Sequence, residues 1–165
     1  MKNTIVVLIG SAVLAGCAAQ SPSVPPSARS EQCQPIDENG VMQLFDRWNR
    51  SLLTGDPEKV VANYARNSIL LPTLSDKPRF TPEEKLEYFQ HFLGNQPSGE
   101  ITLRAVELGC NTVVDSGLYT FTFARTGSTA EARYTYTYRW DGQQWLITSH
   151  HSSLMPETSA QQTSR

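Results

Sequence analysis

Few side chains in this sequence are of types that do chemistry, and their spacing narrows what that chemistry is. His150 and His151 are adjacent and Ser152 follows them. On a strand, neighbouring residues point to opposite faces, so the two imidazoles do not share one metal ion. No His-Glu-x-x-His and no Cys/His cluster accompanies them, so no metal or other cofactor is expected. Ser152 beside a histidine is not a nucleophile triad, because there is no Gly-x-Ser-x-Gly and no acid is placed to orient the ring. Glu107, Asp115 and Glu131 fall mostly near strand ends or bends, which is thin material for a buried general base. No catalytic residue is therefore assigned.

The three cysteines carry more information. Lys2, the apolar run Ile5 to Leu14 and the small residues after it follow the order of a secretory signal. The run is far short of the roughly 18–20 apolar residues that cross a bilayer. Leu14-Ala15-Gly16-Cys17 resembles the lipobox of bacterial lipoproteins. That resemblance implies a signal peptide over residues 1–16, diacylglycerol on the Cys17 sulfur, and an acylated new amino terminus. Several acyl chains hold a protein firmly to a membrane where one holds it marginally. Residue 18 is Ala rather than Asp, which under enterobacterium-like sorting implies the outer membrane, facing the periplasm, in a Gram-negative host. Lipidation leaves Cys33 and Cys110, and in an oxidising compartment two remaining thiols pair, so a Cys33–Cys110 disulfide is expected. Two buried thiols are the alternative.

These residues sit in a chain of 165 residues with a net charge of −2 and no basic block, which argues against a nucleic-acid partner. Residues 17–34 include the Pro-, Ser- and Ala-rich stretch Ala18 to Ser30 and read as a flexible linker. Residues 35–157 are one domain, and the polar stretch 158–165 is a frayed tail. Within the domain, Asp37 is a plausible N-cap, and Val41, Leu44, Phe45, Trp48 and Leu52 make one helical stripe. Asp56-Pro57 starts a second helix with Val60, Val61 and Tyr64 on its apolar side. Thr81-Pro82-Glu83-Glu84 is a capping box before Leu86, Phe89, Phe92 and Leu93. Between the last two helices, Ile69-Leu70-Leu71 is a short strand that stops at Pro72. Four strands follow, over Ile101–Leu108, Val113–Arg125 with a bend near Asp115-Ser116-Gly117, Ala130–Trp140 and Trp145–Ser152, the last two joined at Asp141-Gly142. Helices followed by an antiparallel meander make an α+β domain. The third of these strands alternates sharply. Tyr134, Tyr136, Tyr138 and Trp140 share one face, and Arg133, Thr135, Thr137 and Arg139 share the other. Parity alone does not say which face the helices cover.

Three stretches together resemble a known family. They are Leu44-Phe45-Asp46-Arg47-Trp48 with Thr54-Gly55-Asp56-Pro57; Leu70-Leu71-Pro72-Thr73 with Tyr88-Phe89-Gln90-His91-Phe92-Leu93; and Asp141 to Ser153, ending in Met155-Pro156. They are similar to bacterial proteins of the calcium/calmodulin-dependent kinase II association-domain type, in the NTF2-like superfamily that also holds SnoaL-like and ketosteroid-isomerase-like folds. The resemblance implies a cone of three N-terminal helices packed on a curved antiparallel sheet, a deep pocket between them, and dimers or larger rings formed through the outer face of the sheet. It makes Tyr134, Tyr136, Tyr138 and Trp140 the oligomer face, since such a row would otherwise be exposed. No Gly-rich phosphate loop, catalytic Asp loop or Asp-Phe-Gly is present, so kinase activity is not implied.

The resemblance also implies a ligand set. In the kinase hub, arginines line the pocket; here the matching positions fall near Thr122, Thr135 and Ser152, none of them Arg. Arg133 shares a face with Thr135, and His150 shares one with Ser152. The expected pocket set is therefore Arg133, Thr135, His150 and Ser152, with Tyr64 or Arg79 from the helical side. An Arg fork beside hydroxyls and an imidazole suits a small carboxylate. The chain reads as a membrane-anchored, self-associating domain that holds a small anionic ligand. An isomerase- or cyclase-like enzyme in the same pocket and a purely structural envelope module are the alternatives.

Overall fold

In a computed structural model, residues 32–73 and 75–156 are described. Cys17 lies outside them, as do residues 1–16, most of the linker and the 158–165 tail.

Helix α1 (Glu38–Leu52) starts where Asp37 accepts a hydrogen bond from the Gly40 amide at 2.8 Å. It buries the expected stripe Val41, Leu44, Phe45, Trp48 and Leu52. Helix α2 (Pro57–Val61) is capped by Asp56. It is shorter than its apolar pattern suggested. The Asn63 amide takes the carbonyls of Lys59 and Val60 at 3.0 and 3.1 Å, and the Asn63 carbonyl accepts from Ile147 N. These bonds end the helix and turn the chain into strand β1 (Tyr64–Leu71), so Tyr64 is a strand residue. Helix α3 (Pro82–Leu93) carries the full Thr81/Glu84 capping box.

The strands are β2 (Pro97–Gly109), β3 (Thr112–Phe123), β4 (Ser128–Trp140) and β5 (Trp145–Leu154). With β1 they form one sheet in the order β1-β5-β4-β3-β2. All pairs are antiparallel except β1 with β5, which is parallel, so the sheet is mixed at that edge. The expected bend in β3 sits opposite a register shift in β2 between Ile101 and Leu103. Gly117 lets the two backbones close there: a Cβ would lie 2.8 Å from the Leu103 carbonyl carbon and nearer still to its oxygen.

Trp48 is the hub of the core, edge-on to Phe89, Phe121 and Tyr136 with centroids 6.4, 6.3 and 5.7 Å away. This settles the parity of β4 and corrects the assignment of the oligomer face. Tyr134, Tyr136 and Tyr138 are 2%, 0% and 0% exposed and lie beneath the helices. Three amphipathic helices need an apolar floor, and the phenol rings supply far more buried area than the Arg/Thr face would. Trp140 is half-buried against Trp145. Arg133 and Arg139 are exposed on the outer face, with Thr135 and Thr137 between them.

The Cys33–Cys110 disulfide is present, with Cα atoms 4.8 Å apart. It fixes the chain before α1 to the β2–β3 turn. Asn111, in the left-handed region at φ 60°, reinforces the join. Its side chain accepts from Gln34 N at 2.7 Å and donates to the Gln32 carbonyl at 3.1 Å.

Candidate functional site

Strand β5 brings His150 and Ser152, two residues apart, onto the inner face of the sheet. A register shift against β4 between Thr137 and Tyr138 lets Ile147 and His150 both face inward. His150 is 4% exposed. Its ring stacks on Tyr136, its partner across the β4–β5 ladder, at 4.1 Å, and Trp48 meets it edge-on at 5.4 Å.

Two hydrogen bonds bear on the protonation of this imidazole. Trp48 Nε1, which can only donate, gives its proton to the Tyr64 hydroxyl oxygen at 3.1 Å. The Tyr64 proton is then free to go to His150 Nδ1, 2.8 Å away. When Nδ1 accepts that proton, the neutral ring carries its own on Nε2. Burial keeps the ring neutral, pushing its pKa down to about 3, with His151 adding a smaller effect of the same sign. Nε2 itself is buried and has no partner.

The ring borders a cavity of about 50 Å³ open to a water-sized sphere, enough for on the order of four such groups. Most of the lining is aromatic or aliphatic, from Trp48, Phe89, Phe92, Phe121 and their neighbours. The polar part is a chain of hydroxyls: Tyr119 donates to Ser152 Oγ at 2.5 Å, and Ser152 Oγ is also bonded to Thr73 Oγ1. Burial raises Tyr119 well above its ordinary range and Tyr88 to about 12, so both phenols stay protonated. The site therefore offers neutral donors, with no Lys or Arg among the lining residues.

The expected ligand set divides accordingly. His150 and Ser152 line the cavity, and Tyr64 supports His150 from behind. Arg133 and Thr135 are not in the pocket: with Tyr134 and Tyr136 facing in, their neighbours face out, and the Arg133 guanidinium bonds the Leu154 carbonyl at 3.3 Å on the exposed side. Arg79 is one ring away, its guanidinium 6.0 Å over Tyr88, a lining residue. Thr73, Tyr119 and Trp48 were missed as site residues. Thr73 lay in one of the stretches that carried the resemblance, but Tyr119 and Trp48 read only as core.

Residues 37–156 match the family described as the calcium/calmodulin dependent protein kinase II association domain. The chain belongs to that family. The association domain is similar to a crystal structure of such a domain from Xanthomonas campestris, with 43% identity and a TM-score of 0.71 over 75% of this chain and 91% of that one. An NTF2-like protein of unknown function from Pseudomonas putida KT2440 shares the fold at 17% identity and a TM-score of 0.66, over 79% and 94% of the two chains. An iota-carbonic anhydrase from a cyanobacterium, solved with bicarbonate, shares it at 21% identity and a TM-score of 0.66, over 74% and 94%. No curated protein matches the chain.

Proposed function

We propose that the association domain binds a small oxygen-bearing ligand of the carboxylate or bicarbonate kind in the His150–Ser152 cavity. The observation that carries this reading is the buried, unpartnered Nε2–H of His150 beside the Thr73, Ser152 and Tyr119 hydroxyls. A buried donor without an acceptor costs roughly 1–3 kcal/mol, which a ligand oxygen would recover. Neutral donors converging on one oxygen stabilise negative charge without a cation. The bicarbonate complex of the carbonic anhydrase with this fold supports the size class.

A second reading, reversible hydration of carbon dioxide, is favoured by the hydroxyl chain. Water oxygen would bond to the carbon, and its proton would pass to Ser152 and on to Thr73, giving bicarbonate. His150 is a poor base for this step, because Nε2 is already protonated.

The proposal includes anchoring through a lipid on Cys17, supported by the lipobox and by the disulfide, which belongs to an oxidising compartment. It also includes self-association through the outer sheet face, where Arg133, Arg139, Glu107 and Leu103 are exposed. The family description as an association domain supports that part.

Titration with bicarbonate and acetate, followed by Trp48 fluorescence and carbon NMR, tests the pocket. Saturable binding that weakens in Ser152→Ala and His150→Phe is expected. Wild-type protein that gives no saturable response to either anion overturns it. Measuring carbon dioxide hydration on the same samples separates the two readings.

A further inference from the structure

The lining of the His150–Ser152 cavity is unequally shielded from solvent. Trp48, Leu70, Phe89, Tyr119 and Phe121 line it and are buried. Tyr88 and Phe92 line it too, about one turn apart on α3, and are only half-buried. Their rings stack at 5.7 Å with 15° between the planes. The same two rings line a surface groove of about 310 Å³ together with Arg79, Glu87, His91 and Asn95. Tyr88 and Phe92 are thus the wall that cavity and groove share.

Arg79 is fixed beside this wall by its backbone. Its N–H donates to the Leu70 carbonyl at 2.9 Å, its carbonyl accepts from the Leu70 N–H at 3.0 Å, and Leu70 is itself a lining residue of the cavity. The guanidinium lies 6.0 Å over the Tyr88 ring. Burial pushes the Tyr88 phenol up to about 12, and the Arg79 charge opposes that rise, so its field reaches the shared wall. Arg79 forms no ion pair among the described residues, and Glu87 in the same groove is exposed.

We propose that this groove is the entrance to the cavity and that Arg79 is its charge-selecting residue, receiving a small anion before it passes Tyr88 and Phe92. This rests on the ligand reading above and gives Arg79 a role at the mouth rather than as a contact inside. The donors in the cavity are neutral: they stabilise an anion once it has arrived but carry no charge to draw one from solvent. Aromatic faces present the negative part of their quadrupole, which opposes an anion on its way in. A guanidinium over the Tyr88 face offsets that opposition, and its planar fork matches a carboxylate. The Glu87 carboxylate acts in the opposite sense in the same groove, but as an exposed charge it is the more screened of the two.

Exchange-broadened carbon NMR of labelled acetate reads the entry and exit rates in wild type, Arg79→Gln, Arg79→Lys and Glu87→Gln. At low salt Arg79→Gln should slow entry about fivefold, the effect of one charge close to the path in water. Arg79→Lys keeps the charge and should restore most of the rate. Glu87→Gln, at an exposed position, should speed entry, and both differences should shrink as salt rises. Faster entry in Arg79→Gln would mark a wall loosened at Tyr88 and overturns the proposal. Entry rates in Arg79→Gln and Glu87→Gln equal to wild type at low salt, with binding retained, overturn the entrance and leave the pocket standing. Wild-type protein that binds neither acetate nor bicarbonate ends both readings.

Discussion

The Tyr64 hydroxyl stands 2.8 Å from His150 Nδ1 and is itself bonded by Trp48 Nε1, so side chains from two other elements, α1 and β1, bear on the proton of a single ring on β5. The indole can only donate, so the Tyr64 oxygen accepts from it and the Tyr64 proton is left to give to Nδ1. The consequence appears on the far side of the ring, where a buried N–H is left for the cavity.

Tyr64→Phe removes the donor and keeps the ring volume. Nδ1 then loses its reason to be the acceptor, and the Trp48 indole loses its partner. Ligand affinity should fall about tenfold, in line with one hydrogen bond to a buried polar group. Nitrogen NMR of His150 checks the cause: protonation on Nε2 alone in wild type, a mixture of tautomers in the variant. An unchanged spectrum with normal affinity would contradict the relay.

Acid should weaken the fold through the same ring. Its folded pKa of about 3 lies below the ordinary value of 6.5. Between those two values the unfolded chain binds a proton that the folded one refuses, so stability falls as pH drops through this window. The contribution is fully present above about pH 6.5 and is lost as pH falls to about 3. Across the whole window it amounts to on the order of 5 kcal/mol. Denaturant unfolding between pH 4 and 7, in wild type and His150→Gln, measures it; the variant should lose most of the slope.

Much of the fold was legible because its signals are local. Asp37, Asp56 and the Thr81/Glu84 box capped their helices where their types said they would. The apolar stripe of α1 and the Asp141-Gly142 hairpin needed no knowledge of the rest of the chain. The disulfide was legible from counting. The face of β4 was not, because strict alternation is symmetric and only the packed helices break the symmetry. Arg133 and Thr135 were drawn into the expected pocket by that same choice. The site also depends on a register shift between β4 and β5 that moves His150 onto the inner face, and nothing in the local sequence marks it.

Gly117→Ala should be among the most damaging single-methyl changes in the domain. The added carbon would run into the Leu103 backbone rather than into a side chain that can turn away. Relief requires the β2–β3 ladder to open at its bulge. A loss of about 3 kcal/mol or more is expected by urea unfolding, at the upper end for overpacking. A near-neutral variant would show that the ladder can shift register there at little cost.

Arg133→Ala separates the two faces of β4. Because the guanidinium lies on the outer face, the variant should bind bicarbonate and acetate as wild type does. Stability should change by less than about 1 kcal/mol, as for an exposed side chain. Its effect should fall on self-association, read as a shift in the monomer–oligomer equilibrium by analytical ultracentrifugation. Loss of ligand binding with unchanged mass would return Arg133 to the pocket.

Cys17 and Cys33 do different work, and paired substitutions should show it. Cys33→Ser opens the link to Cys110, which closes a loop with a sequence separation of 77. Chain-entropy reasoning puts the loss at about 4 kcal/mol, large against the marginal stability of a single domain. The Asn111 bonds to Gln32 and Gln34 would remain, but without the covalent link they must hold the segment against its full backbone freedom. Thermal unfolding of Cys33→Ser should therefore match that of wild type in reductant. Cys17→Ala should leave the melting temperature and the disulfide intact and move the protein from the membrane fraction to the soluble one. If Cys17→Ala stays with the membrane, the lipid is not the anchor; if Cys33→Ser melts like oxidised wild type, the link does not stabilise the domain.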